Sequence, residues 1–103
     1  MQIVGVTNGA DKKRLDLKPN EAVFNDDSVD IDFRVESDGN ANMLHVNGGS
    51  NLVGIGADPD LGVGLHIKTG DSGASAHVSA DELVIENSAN SGINILSGTS
   101  SEG

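Results

Sequence analysis

The clearest alternation of apolar and polar residues covers residues 29–36. Val29, Ile31, Phe33 and Val35 alternate with Asp30, Asp32, Arg34 and Glu36. That period of two predicts a strand with one buried and one solvated face. On a helix the same residues would be scattered round the circumference. Ser37-Asp38-Gly39-Asn40 follows, and its Asp-Gly pair predicts a tight turn with positive φ. Leu44 and Val46 alternate around His45, Asn47-Gly48-Gly49 turns the chain, and Val53 and Ile55 share one face of a short strand over residues 52–56. Asp58-Pro59-Asp60 ends that strand, because proline has no N–H to give to a ladder. Leu61, Val63, Leu65 and Ile67 form a second clean alternation, closed by Gly70-Asp71-Ser72-Gly73. Ala76 and Val78 give a weaker strand. Leu83-Val84-Ile85 is a short apolar run, and Ile93-Asn94-Ile95 follows a polar stretch over residues 87–92.

Short strands thus recur about every 10 residues, each closed by Gly, Asn or Asp, which predicts an all-β chain. A β-sandwich, a β-prism and an intertwined β-fibre all suit that spacing. The period is too loose for a solenoid such as a calcium-binding β-roll. Ahead of residue 29 the pattern is less regular. Ile3, Val4 and Val6 predict one strand, and Leu15 with Leu17 another that ends at Pro19, with a helical turn over residues 11–17 as the other reading. Residues 1–20 are therefore taken as a distinct N-terminal anchoring segment and residues 21–103 as the β-rich module.

Composition changes this picture in one respect. Phe24 and Phe33 are the only aromatic residues, there is no cysteine, and Gly, Ser, Asn and Asp make up nearly half the chain. A small chain with so few large side chains and no disulfide gains too little from its own burial to offset the entropy of ordering. Burial between chains is the expected supplement, so the sequence predicts an oligomer. The net charge of −10 argues against nucleic acid, which requires a basic stripe. Lys12, Lys13 and Arg14, with Lys18 nearby, form the one basic cluster, either a contact for an acidic partner or a solvated loop. No apolar run approaches the ~18 residues of a membrane span.

Candidate chemistry is sparse. Asp26/Asp27, Asp30/Asp32, Asp58/Asp60 and Asp81/Glu82 are paired carboxylates, the type glycosidases use. Asp30 and Asp32, however, fall on the polar face of a strand, where solvation explains them, and Asp58 and Asp60 flank a turn proline. His45, His66 and His77 stand alone without metal-ligand spacing, and alternation places His45 and His66 opposite the core. Asp58, Asp60 and Asp71-Ser72 offer hard oxygen ligands for calcium but lack the EF-hand pattern. Gly54-Ile55-Gly56 and Gly62-Val63-Gly64 complete no nucleotide-binding loop. No catalytic residue and no cofactor is expected.

The stretch Asp32-Phe33-Arg34-Val35-Glu36-Ser37-Asp38-Gly39-Asn40-Ala41-Asn42-Met43-Leu44 resembles a segment of tail-fibre proteins of tailed bacteriophages. Val53-Gly54-Ile55-Gly56-Ala57-Asp58-Pro59, leading to Leu65-His66-Ile67, is similar to the next segment of that family. Ala80-Asp81-Glu82-Leu83-Val84-Ile85-Glu86 and Gly92-Ile93-Asn94-Ile95-Leu96-Ser97-Gly98-Thr99 are similar to its continuation. The resemblance covers residues 22–103. It departs in a longer stretch between Pro59 and Leu65, and nothing matches the self-cleaving chaperone domain that often ends such fibres, as expected of a fragment or of a short virion protein carrying the module. It implies a homotrimer mounted on a virion, a spacer with a part in host attachment, contacting other virion proteins and a host glycan or protein. A head fibre or capsid-decorating protein shares the same physics, and a glycan depolymerase is the remaining alternative. The trimer core would then comprise Val29, Ile31, Phe33, Val35, Val53, Ile55, Leu65 and Ile67, with Lys12, Lys13 and Arg14 as contacts to the particle.

Overall fold

The computed structural model describes residues 2–7 and 10–100, and every regular element among them is a β-strand. The first three strands, β1 (Gln2–Thr7), β2 (Ala10–Lys18) and β3 (Glu21–Phe24), form an antiparallel meander. The helical turn considered for residues 11–17 is therefore a strand. This first sheet continues past residue 20, because β3 pairs along β2 from Lys18↔Glu21 to Leu15↔Phe24. Arg14 is skipped in the β1–β2 register, where Ile3 pairs with Leu15 and Val4 with Lys13, so it is the extra residue of a β-bulge.

The second sheet has five strands in chain order: β4 (Phe33–Val35), β5 (Leu44–Asn47), β6 (Leu52–Ile55), β7 (Leu65–Lys68) and β8 (Leu83–Glu86). Its first two pairings are antiparallel and its last two parallel, and it is open at β4 and β8. Parallel neighbours require the chain to return to the starting end of the sheet each time. Residues 56–64 and 69–82 do so as irregular crossovers without a helix.

The predicted strand over residues 29–36 is cut to Phe33–Val35. Asn25 is the reason. It takes a positive φ of 64°, and its side chain accepts the Val29 N–H at 3.1 Å and donates to the Val29 carbonyl at 2.8 Å. Val29 and Ile31 are thereby held in a loop between the sheets. The alternation over residues 61–67 is likewise shortened to Leu65–Lys68, because Gly62 turns at a φ of +81°. Asp38-Gly39 forms no positive-φ pair, and Ser37 N–H instead reaches the Asn40 carbonyl at 2.9 Å within a longer connection. Residues 76–78 and 93–95 lie in no strand.

Register decides where each side chain goes. Phe33, Val46, Val53, Leu65 and Leu83 form one row across the sheet, and Val35, Leu44, Ile55, Ile67 and Ile85 another. Residues two apart along a strand share a face, so all ten project from the same side. None of the ten is buried; Val35, Val46, Ile55 and Leu83 are 36–51% exposed and the other six are half-buried. The row between them, Arg34, His45, Gly54, His66 and Val84, belongs to the opposite face. That face is covered by the crossovers. Leu52 is the one large apolar side chain buried among the described residues, whereas Asp16, His45, His66 and Glu86 are buried polar ones. A compact chain of this length has a radius of gyration of about 13 Å. Here it is 17.5 Å, with extents of 53 × 37 × 32 Å.

The first crossover lies so close to β6 that a Cβ on Gly54 would sit 2.7 Å from the Ala57 carbonyl oxygen and 2.8 Å from Pro59 Cδ. Gly54→Ala should therefore cost about 1–3 kcal/mol, the range for overpacking. Gly39→Ala, with nothing within 4 Å, should stay within about 0.5 kcal/mol of the parent. Urea unfolding of the two variants checks the contrast.

Candidate functional site

Two features stand out: a buried polar network beneath the crossovers and the uncovered apolar face on the other side. The network centres on His66, which has no solvent exposure. Its Nδ1 accepts from the backbone N–H groups of Asp60 and Leu61 at 3.3 and 3.4 Å. That leaves Nε2 protonated, donating to Glu86 Oε2 at 2.8 Å. Glu86 Oε1 accepts the N–H of Ser72 at 2.8 Å and its hydroxyl at 2.9 Å. Lys68 Nζ meets both oxygens of Asp60 at 2.8 and 2.9 Å and lies 3.7 Å from Glu86 Oε2. Asp60 thus ties the first crossover to the sheet, and Ser72 ties the second.

These contacts set the charges. The Ser72 N–H, then its hydroxyl, His66 and Lys68 hold the Glu86 carboxyl down at about 2, against the opposing effect of burial. The Lys68 ammonium is raised above its ordinary value, first by its bond to Asp60 and then by the charges of Asp60, Glu86 and Asp71. Asp60, His66 and Glu86 bring one ligand atom each within 4.8 Å of one another. That grouping is filled by protein, since the Lys68 ammonium supplies its positive charge and both ring nitrogens of His66 already bond elsewhere. The Ser72 hydroxyl is bonded to Glu86 and not to His66.

His45 occupies the equivalent row position on β5 and is also buried. Its Nε2 lies 3.0 Å from Asp32 Oδ2 and its Nδ1 3.2 Å from Asp58 Oδ1. These are ion-pair distances at angles outside hydrogen-bond geometry. The Gly48 N–H, and after it His45, lowers the Asp32 carboxyl.

Several expectations change accordingly. His45 and His66 do lie opposite the apolar residues, but that is the covered face, so both are buried. Asp32 and Asp58 flank His45 while remaining exposed to water. Of the proposed calcium ligands, Asp60 and Asp71 turn to Lys68 at 2.8 and 4.0 Å, Ser72 to Glu86, and Asp58 to His45. Within the basic cluster, Lys13 pairs with Asp16 and Asp26 at 3.4 and 3.5 Å, and Lys18 with Glu21 and Asp26 at 3.4 and 3.3 Å. Of the eight residues assigned to a trimer core, Phe33, Val35, Val53, Ile55, Leu65 and Ile67 lie on the apolar face. Leu44, Val46, Leu83 and Ile85 complete it. Val29 and Ile31 instead line a cleft of about 570 Å³ with Phe24, Phe33, Leu52 and Val53. Both aromatic rings meet there, their centroids 4.6 Å apart. Sequence reasoning missed the Lys68–Glu86 pairing. Its signal is the shared pattern of Leu65-His66-Ile67-Lys68 and Leu83-Val84-Ile85-Glu86, which an in-register parallel pair sets side by side.

Comparison of the chain with family models, curated proteins and solved structures finds no match.

Because the folded Glu86 carboxyl lies below its ordinary value of 4.5, its stabilisation is complete above that value and is lost as pH falls toward about 2. Asp32 acts in the same direction. Urea midpoints should be level near neutrality and fall below about pH 4.5, with a shallower fall in Glu86→Gln. His66→Phe keeps an aromatic ring, slightly larger, but strands Glu86 Oε2 and two N–H groups, and should lower stability at neutral pH by about 1–3 kcal/mol.

Proposed function

We propose that the chain is a structural module of a bacteriophage tail fibre, a homotrimer in which three copies of the β4–β8 sheet turn their apolar faces toward a common axis. The observation that supports this reading is the uncovered face of ten apolar side chains. A patch of that kind marks an interaction surface. Among the described residues the only large apolar side chain buried within one chain is Leu52, so in this reading folding itself depends on covering the face. A partner required for folding must be present in equal number wherever the chain is made, and another copy meets that condition. Val, Ile and Leu, which make up nine of the ten, suit close packing near an axis better than bulky rings. The resemblance of residues 22–103 to fibre proteins supplies the setting: a virion, where a spacer carries host attachment. The acidic outer surface keeps such rods soluble and apart.

Lys12, Lys13 and Arg14 serve as contacts to the particle in this reading. Whether the mount is tail or capsid is read from the virion protein that co-purifies.

An obligate oligomer has an unfolding midpoint that rises with protein concentration, and this chain should show that dependence. Ile55→Asp on the apolar face should abolish assembly, while Val78→Asp, at an 85% exposed site away from the face, should leave it intact. In lysates of infected cells the chain should co-sediment with particles, and Lys12→Glu with Arg14→Glu should weaken that association. A chain found only in the soluble fraction would contradict the virion role.

A further inference from the structure

The β5–β8 strands share one pattern, an apolar pair around a central residue: Leu44-His45-Val46, Val53-Gly54-Ile55, Leu65-His66-Ile67 and Leu83-Val84-Ile85. Ile93-Asn94-Ile95 repeats it, yet residues 91–98 lie in no strand. Ile93, Ile95 and Leu96 are 69%, 89% and 85% exposed, among the most exposed large apolar side chains of the described residues. A strand sequence without a strand to pair with lacks an edge.

The chain's own β8 edge is poorly placed to provide one in parallel. The two existing parallel returns take residues 56–64 and 69–82. Residues 87–92 are shorter than either, and they begin with a turn in which Asn87 Nδ2 donates to the Asn90 carbonyl at 3.0 Å. Charge points to a second copy. In a chain of net charge −10, no charged residue occurs between Asn87 and Ser101, or between Gly39 and Ala57, which includes β5 and β6. Copies of so acidic a chain meet at least cost through such neutral stretches. The other open edge of the sheet is β4, beside those strands, where Val35 is 46% exposed; its one charged residue, Arg34, is on the opposite face and is held by Glu36 and the Ala41 carbonyl.

We infer that residues 92–96 add as a β-strand to the outer edge of β4 in a neighbouring copy, with Ile93 and Ile95 extending that copy's apolar rows beyond Phe33 and Val35. Strand addition satisfies the backbone of both partners, and the apolar pair sets the register. A tail-to-edge contact is heterologous, the kind that closes into a three-copy ring when each step turns by a third of a circle, which an edge meeting its own equivalent cannot do. The inference rests on the homotrimer reading.

Because the chain lacks cysteine, single-cysteine variants test it directly. Ile95→Cys and Val35→Cys chains are co-expressed, oxidised and run on a non-reducing gel, with each variant alone as control. An interchain disulfide of Ile95→Cys with Val35→Cys is expected in the mixture. Hydrogen exchange on the unaltered assembly provides the second readout: amides of residues 93–96 should exchange about 100-fold more slowly than in an unstructured peptide. Fast exchange in an intact three-chain assembly overturns the strand addition and leaves the trimer standing. Slow exchange without the mixed disulfide places the segment on its own chain and overturns it too. A folded single chain removes both.

Discussion

A β-sheet with one face covered normally hides its apolar side and shows water its polar one. In the β4–β8 sheet the covered side is the polar one. Residues 56–64 and 69–82 fold over His45, Gly54, His66 and Glu86, while two rows of five apolar side chains stay open on the other side. The crossovers cannot move to the apolar face, because their inward groups are backbone N–H donors and carboxylates matched to the histidines and Lys68. The fold of one chain therefore leaves these apolar rows short of burial, which is the ground for the proposed self-association.

The polar network is what permits this inversion. Parallel neighbours without a connecting helix need another means of holding each return against the sheet. Here a buried histidine in a fixed tautomer joins a crossover backbone to a carboxylate on the next strand, and that carboxylate holds the second crossover through Ser72. Such a network is directional where apolar packing is not, so it specifies which loop lies over which strand. Gly54 adds the steric half of the same requirement, allowing Pro59 to lie directly on β6.

Much of this was legible in the residues. Period-two alternation identified the paired apolar positions at 33/35, 44/46, 53/55 and 65/67, and the register shows them on one face. The sequence could not say which face the loops would cover, because alternation distinguishes two sides without assigning a lid to either. His45 and His66 were placed on the correct side for that reason and given the wrong environment. Val29 and Ile31 left the strand through Asn25, whose side chain bonds its own neighbourhood more effectively than a ladder would. The Lys68–Glu86 pair has a signal in the shared pattern of residues 65–68 and 83–86, but using it required knowing that β7 and β8 are parallel and in register, a tertiary fact. The phage-fibre proposal rests on resemblance alone, and the apolar face supports the proposed self-association.

The central claim is that this face is closed by copies of the same chain. The solution mass at neutral pH, by light scattering on a size-exclusion column, tests it most directly. The account predicts a single folded species of three times the 10.5 kDa chain mass, with no smaller folded form on dilution. A stable, folded species at the mass of one chain would contradict it.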